Sequence, residues 1–383
     1  MKEVAALHKA EYDTAPEIIV QSPGVIKLIG EQTEHCEGLG LAIAASFSVS
    51  IAISRRKDAT LRFFAADLNE RKRTPLLNLR YKREDRWANY LKAPLSFIAE
   101  AQGAGSGFSF TISGDIPQGL GFASSTAITL ASVLGLKELL QLNLTNEAVK
   151  KLVARSEIEF LGQNFGLLET AAALFANTDT AVLGDIRAQT TRLVPFDLSK
   201  YALVITDSRV PRLSIDAEIK LRQGEARRCL ALVNAHAARP LAMRDADLEE
   251  IGDAIHRFPE SSRRRFSFLL EELSRVSDAE EALERKDIQA FGRIMNRSQD
   301  GLRDQYEVSC PEIDWLVKRA LELDGTICSR LVGKGLGGCT ISVMKPEAVQ
   351  EYQKRLDEYE RIFGFKPSVR EIKTGERAGI QVS

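Results

Sequence analysis

Residues 114–127 read Gly-Asp-Ile-Pro-Gln-Gly-Leu-Gly-Phe-Ala-Ser-Ser-Thr-Ala, and no other segment narrows the choice of fold as much. Before it, Phe108, Phe110 and Ile112 alternate with Ser109, Thr111 and Ser113, the period of a strand ending near Gly114. After it, Ile128, Leu130, Val133, Leu134 and Leu140 follow the spacing of a helix. A strand, a glycine-rich turn and a helix start of small residues expose backbone N–H groups, with hydroxyls beside them, to an anion such as a nucleotide phosphate. No Gly-Lys-Ser or Gly-Lys-Thr closes the segment, so it is not the common phosphate-binding loop. A tight strand-to-helix connection with a serine cap explains the same residues without a ligand.

The surrounding chain supplies enough apolar material for two cores: 383 residues, of which 44% are hydrophobic, predict two domains of ordinary size. Residues 43–53 alternate Ile43, Ala45, Phe47, Val49, Ile51 and Ile53 against serines at 46, 48 and 50, with Ser54 continuing the polar set. That pattern predicts a long half-buried strand. A helix is predicted over 146–161, opened by Thr145 and Glu147. Beyond residue 200 the pattern changes to charged, apolar-periodic helices over 214–237, 247–258, 266–273 and 287–305, with strands predicted at 201–206, 325–332 and 339–344. The shift predicts a boundary near 196–200, giving domains 1–198 and 199–383.

Charge and cysteine usage remove several function classes. With 52 basic and 53 acidic residues the net charge is −1, which provides no general field for a polyanion, so nucleic acid is not an expected partner. Five widely spaced cysteines without paired histidines argue against a disulfide framework or a zinc site. No run of 18 apolar residues occurs, and the first fifteen residues have no apolar core, so a cytoplasmic protein without a membrane association is expected. His8, His236 and His256 form no readable cluster with each other or with the cysteines.

A second glycine loop, Gly333-Lys334-Gly335-Leu336-Gly337-Gly338, satisfies Gly-x-Gly-x-x-Gly but is followed by a strand-like run and Lys345-Pro346 rather than a helix. It therefore fails as a dinucleotide fingerprint. It reads either as a structural hairpin turn or as backbone brought close to a ligand, and two such loops in two domains favour a nucleotide in an interdomain cleft.

With these segments identified, the chain resembles the galactokinase branch of the GHMP kinase superfamily over most of its length. The first motif is Ser22-Pro23-Gly24-Val25-Ile26-Lys27-Leu28-Ile29-Gly30-Glu31-Gln32-Thr33-Glu34-His35, the second is 114–127, and the third is 333–339. Trp87-Ala88-Asn89-Tyr90, the run 306–314, and Arg222 with Glu225 add to the match. The resemblance implies a two-domain α/β (α+β) fold with the active site in the interdomain cleft. It further implies transfer of the γ-phosphoryl of Mg-ATP to a small-molecule hydroxyl, in galactokinases that of galactose. Carried over residue by residue, it implies nucleotide binding by Gly119, Leu120, Gly121, Phe122, Ala123, Ser124, Ser125, Gly333, Gly335 and Gly337, and magnesium binding by Ser125 and Glu157. Lys334, between two glycines of the third motif, either touches phosphate or points into water.

The chain departs from the family at the chemistry. Val25 stands where the family's Pro-Gly-Arg-Val-Asn has its arginine, removing a strong charge-assisted contact. Lys27, two residues on and on the same face of an extended segment, is the candidate replacement. Glu169 replaces the family's catalytic aspartate in Gly166-Leu167-Leu168-Glu169-Thr170. Its extra methylene moves the carboxylate by about 1.5 Å, a displacement that can cost roughly 100-fold in rate unless the substrate moves with it. At the family's sugar-contacting Glu, His and Asp set stand Glu31, Gln32, Glu34 and His35, of which only the first acid, Glu31, is retained, and Ile219 and Lys220 replace its Tyr-Asn. Two functions follow: a small-molecule kinase for a sugar or sugar derivative in which galactose is a doubtful acceptor, or a catalytically impaired homologue that binds nucleotide or sugar as a regulator.

Overall fold

In the computed structural model the described residues are 2–77, 79–102, 105–164, 166–211, 215–235, 239–246 and 251–381. Parts of the predicted helices at 214–237 and 247–258, and His236, lie outside them. The first half runs α1 (Lys2–Tyr12), β1 (Ile18–Ile29), β2 (Leu39–Arg55), β3 (Thr60–Ala65), β4 (Glu70–Pro75), α2 (Asn89–Gln102), β5 (Phe108–Gly114), α3 (Ser124–Leu139), α4 (Asn146–Arg155), α5 (Leu167–Phe175), β6 (Thr180–Asp185) and β7 (Thr190–Pro195). The second half runs β8 (Ala202–Asp207), α6 (Ile215–Asn234), α7 (Gly252–Ile255), α8 (Glu260–Glu284), α9 (Ile288–Asp304), α10 (Pro311–Leu321), β9 (Thr326–Val332), β10 (Cys339–Met344), α11 (Pro346–Phe363), β11 (Ser368–Ile372) and β12 (Gly379–Gln381). This is a two-unit α/β fold.

Among the described residues the first sheet has eight strands, with order β12-β1-β2-β5-β3-β4, β6 also pairing β2 and β7 pairing β6. The second has four, in the order β11-β8-β10-β9. β2 is long because it serves two neighbours in turn: residues 39–42 pair β6, and residues 49–55 pair β5. Its odd positions from Ile43 to Ile53 enter the main core as expected, while Ala42 and Ala44 pack with Leu130, Val149 and Leu168 beneath α3, α4 and α5. The same main core continues through Leu203, Ile205, Cys328 and Ile341 of the second sheet, so the two units share one apolar interior.

The chain passes from the first sheet to the second between Pro195 and Ala202, where the sequence pattern changes. The end of the chain then returns to the first sheet. Ser46 N–H donates to the Lys373 carbonyl at 2.9 Å, Gly375 N–H to Ala44 at 2.8 Å, and β12 pairs antiparallel with β1. No helix among the described residues is long and apolar enough to cross a membrane.

Three predicted elements differ in extent. Of the helix expected over 247–258, the described part is helical only at α7 (Gly252–Ile255), with residues 256–258 in a turn. The helix expected over 146–161 is α4 followed by a π turn at Ser156–Phe160. The helix expected over 266–273 is the interior of the 25-residue α8, whose buried stripe continues through Val276, Ala279 and Leu283. Ser54, read as part of an outward face, is buried, because α1 lies over it and His8 bridges it. His8 Nε2 sits 2.9 Å from Ser54 Oγ, and Nδ1 2.9 Å from Thr111 Oγ1.

Burial lowers the His8 pKa from 6.5 to about 4. Between those values the unfolded chain binds more protons than the folded one, so stability falls as pH drops through that window. His35 is lowered to about 4 as well and acts in the same direction. In urea unfolding, His8→Gln should flatten the loss of stability on acidification from neutral pH to about 5, by up to ~1.4 kcal/mol per pH unit. An unchanged slope would remove His8 as its source.

Candidate active site

The first and second motifs are joined by backbone. Val25 N–H donates to the Phe122 carbonyl at 3.1 Å, and Gly24 leaves room for the Phe47 ring, which a Cβ there would strike. Phe122 is buried against Phe47, with ring centroids 5.0 Å apart, and this pins the glycine turn to the sheet. Gly119 and Gly121 take φ of 78° and 87°, values natural only to glycine, and Ala123 is also left-handed at 54°. Ala123 gives the first turn of α3 no side-chain cap. Its N–H groups and the half-buried Ser124 and Ser125 therefore face outward at the positive end of the helix dipole.

Three of residues 119–125 form one end of a cavity of about 550 Å³, while Leu120, Gly121, Phe122 and Ala123 are not among its lining. Gly119, Ser124 and Ser125 line it together with Val49, Ile112, Ile128, Tyr81, Trp87 and Tyr90. A polar end beside an aromatic and aliphatic recess has the amphipathic character of a nucleotide site. Tyr81, Trp87 and Tyr90 were not singled out as binding residues from sequence, although Trp87-Ala88-Asn89-Tyr90 was legible as a motif.

The third motif packs on the protein's own backbone. Gly335 has φ of 91°, and a Cβ there would collide with the Val308 carbonyl, which also accepts from Leu336 N–H at 2.7 Å. A Cβ on Gly337 would sit 3.0 Å from the Val210 carbonyl oxygen. The motif meets the second one where Cys339 Sγ lies 3.8 Å from the Leu120 carbonyl. None of Gly333, Gly335 and Gly337 is among the residues lining the cavity. Lys334 points outward to an exposed ion pair with Asp216 at 2.5 Å.

Glu31 and Gln32 also turn toward this loop. Arg330 is wholly buried; it donates to the Leu28 carbonyl and forms an ion pair with Glu31 Oε2 at 2.8 Å, while Glu31 Oε1 accepts from Gly333 N–H at 3.3 Å. Gln32 Nε2 donates to the Gly333 carbonyl at 3.4 Å. The carboxylate of Glu31 is thus committed to joining the first motif to the third. Arg330, three residues before Gly333, carries no sequence signal beyond its charge.

A second charged group lies at the end of β1. Val25 is buried among Ala44, Leu168 and Ala171, while Lys27 emerges on the same side of β1 and forms ion pairs with Glu169 Oε1 at 2.8 Å and with Glu34. Burial opposes the charge on Lys27, but Glu169 and Glu34 outweigh it and raise its pKa. Burial raises Glu34 to about 6 despite Lys27 beside it. Burial, with the charge of Arg227, keeps His35 neutral, and its buried Nε2 has no hydrogen-bond partner.

Glu157 sits on the π turn, a feature common at functional sites. Its Oε1 accepts from Thr126 Oγ1 at 2.7 Å and its Oε2 from Gly166 N–H at 3.0 Å. The hydroxyl that bonds Glu157 is thus that of Thr126, the residue after Ser125. Glu169 Oε2 packs over Gly166, so Glu157 and Glu169 bracket this glycine. Burial raises the Glu157 pKa, with Glu169 adding to the effect. Among the described residues no group of three or more His, Cys, Asp or Glu is arranged to hold a metal. One acid with lone pairs to spare and one hydroxyl suit a magnesium ion held mainly by phosphates and water.

Known proteins resemble this chain in sequence and fold. Residues 89–177 match the model for the GHMP kinases N terminal domain, 279–361 that for GHMP kinases C terminal, and 6–55 the galactokinase galactose-binding signature. A Treponema pallidum (strain Nichols) protein provisionally named galactokinase is 37% identical, over 99% of this chain and 96% of that protein. The Homo sapiens galactokinase is 32% identical over 94% of this chain and 92% of its own. The Lactococcus lactis galactokinase complexed with galactose superposes with a TM-score of 0.89 at 24% identity, covering 99% of each chain.

Breaking a buried ion pair by removing one partner strands the other charge, at a cost of about 3–5 kcal/mol. Glu31→Gln and Arg330→Met should each lower stability by that order, and the double variant should lose less than the sum. Urea denaturation measures this. A Glu31→Gln chain with the wild-type midpoint would assign Glu31 to ligand binding alone.

Proposed function

The chain belongs to the galactokinase branch of the GHMP kinase superfamily, and from that premise we propose that Lys27 and Glu169 together carry phosphoryl transfer to a small-molecule hydroxyl. The family's activity is that of an ATP-dependent small-molecule kinase, and what is particular to this chain is how it does the work without the arginine. The supporting observation is the 2.8 Å ion pair between Lys27 and Glu169 at the end of the strand whose Val25 has taken the arginine's position.

In this reading the carboxylate of Glu169, held in one orientation by Lys27, accepts or orients the proton of the acceptor hydroxyl. The hydroxyl oxygen bonds to the γ-phosphorus, the bond from that phosphorus to the bridging oxygen breaks, and ADP leaves. Lys27 and the first-turn amides of α3 oppose the negative charge that gathers on the transferring group. Ser125 and Glu157 would hold magnesium, which neutralises charge on the phosphates when bound. The base and ribose occupy the recess beside Trp87 and Tyr90.

The acceptor meets Glu34 and the unpartnered Nε2 of His35, whereas Glu31 and Gln32 are engaged elsewhere. A hydroxyl-reading pocket with a different set of partners selects a different substrate, because an unmatched polar group is costly to bury. We assign the acceptor to sugars or sugar derivatives, with galactose not the preferred one. One observation favours a second reading, a nucleotide- or sugar-binding regulator: Lys27 is engaged by two carboxylates at once, which commits its charge before any phosphate arrives.

Lys27→Met and Glu169→Gln should each reduce kcat by about 100-fold or more and leave ATP affinity nearly unchanged. Calorimetric ATP titration beside steady-state kinetics separates the two effects. Parent-like turnover in either variant removes that residue from the chemistry.

A further inference from the structure

We propose that Glu70, on the β3–β4 hairpin, is a positioning residue for nucleotide binding that acts by holding the indole of Trp87 at the cavity wall. The inference rests on the reading that this cavity takes the base of ATP.

One carboxylate grips two consecutive residues. Trp87 Nε1 donates to Glu70 Oε2 at 2.9 Å, and Arg86 is paired with Glu70 Oε1 at 2.9 Å. The hydrogen bond from the indole, with Arg86 nearby, holds the Glu70 carboxyl below the ordinary carboxylate range. Arg86 has φ 47° and ψ −118° inside the short turn Arg83–Ala88, a strained conformation for a residue with a side chain. That kink sets the direction in which Trp87 leaves the backbone. Lys72 of the same hairpin donates to the Glu84 carbonyl at 2.8 Å and so fixes the turn from the same side.

The inner side of the turn is held independently. Asn89 Nδ2 donates to the carbonyls of Lys82 at 2.7 Å and Arg86 at 3.1 Å, and the buried Lys92 is paired with Asp85 at 2.6 Å. The backbone around Trp87 therefore stays in place without Glu70, and the parts of the arrangement that Glu70 governs are the Trp87 ring and the Arg86 side chain beside it. An indole already held in one orientation loses little rotamer freedom when a ligand packs on it. Glu70 lies on β4, at the edge of the first sheet, and its removal leaves the core untouched.

The test uses the full chain, Mg-ATP as the probe and no acceptor. Trp87 and Trp315 are the only tryptophans, and Trp315 packs far along the chain against Tyr359, so a Trp87→Phe variant isolates the Trp87 signal. Wild type should bind ATP with a change in intrinsic fluorescence that Trp87→Phe abolishes. Glu70→Ala should weaken ATP binding by about 2- to 10-fold and diminish the fluorescence change at an unchanged Tm. Glu70→Gln, whose amide oxygen still accepts from the indole, should recover most of both. Wild-type affinity and signal in Glu70→Ala would overturn the role of Glu70 while leaving the nucleotide reading intact. Absence of ATP binding by the wild type would overturn the nucleotide reading and this inference with it.

Discussion

Taking Arg330 completely out of water at the junction of the two sheets obliges the fold to meet a guanidinium there, and Glu31 is the carboxylate that meets it. The pair does more than cancel charge. Arg330 also holds the Leu28 carbonyl at the end of β1, and Glu31 also holds the Gly333 amide at the start of the third motif. One buried interaction therefore fixes the end of the first motif against the beginning of the third, while the Val25–Phe122 hydrogen bond fixes the first motif against the second. The three motifs, far apart in sequence, are brought to one place by these backbone-directed contacts.

The same arrangement explains how the acceptor end has been rebuilt. Val25 is buried among aliphatic residues, and Lys27, two residues along the strand, pairs with Glu169; in the proposed function it is Lys27 that supplies the positive charge. Lys27 is a compact ammonium and does not reproduce the bidentate geometry of a guanidinium. Its position between Glu34 and Glu169 instead makes a three-charge cluster in which each carboxylate limits where the other can go. The extra methylene of Glu169 fits this cluster, since Oε1 reaches Lys27 while Oε2 lies over Gly166. On the proposed reading, such a site keeps a positive charge for the transferring group and changes the shape presented to a substrate.

Much of this was legible in the residues. The alternation in β2 and β5, the glycine turn before α3 and the change of character near residue 200 are periodic or compositional, and local chemistry dictates them. The fates of Glu31 and Arg330 were not, because charge alone does not say whether a carboxylate faces a ligand or a buried arginine 299 positions away. Ser54 looked outward because its alternation was correct, but α1 covers that face and His8 bonds it. The return of the chain end as β12 depends on a three-residue strand with no periodicity to read. That the Thr126 hydroxyl bonds Glu157 was not legible either, because adjacent helix positions point about 100° apart, which spacing along the chain does not resolve.

The account stands on phosphoryl transfer surviving the loss of the arginine. Incubating the protein with Mg-ATP and a panel of sugars and sugar acids that includes galactose, and reading phosphorylated product by mass spectrometry, tests this most directly. The account predicts ATP-dependent product from at least one acceptor, with galactose not the best. Demonstrable Mg-ATP binding without product from any acceptor would contradict it and assign the chain to the nucleotide-binding regulators.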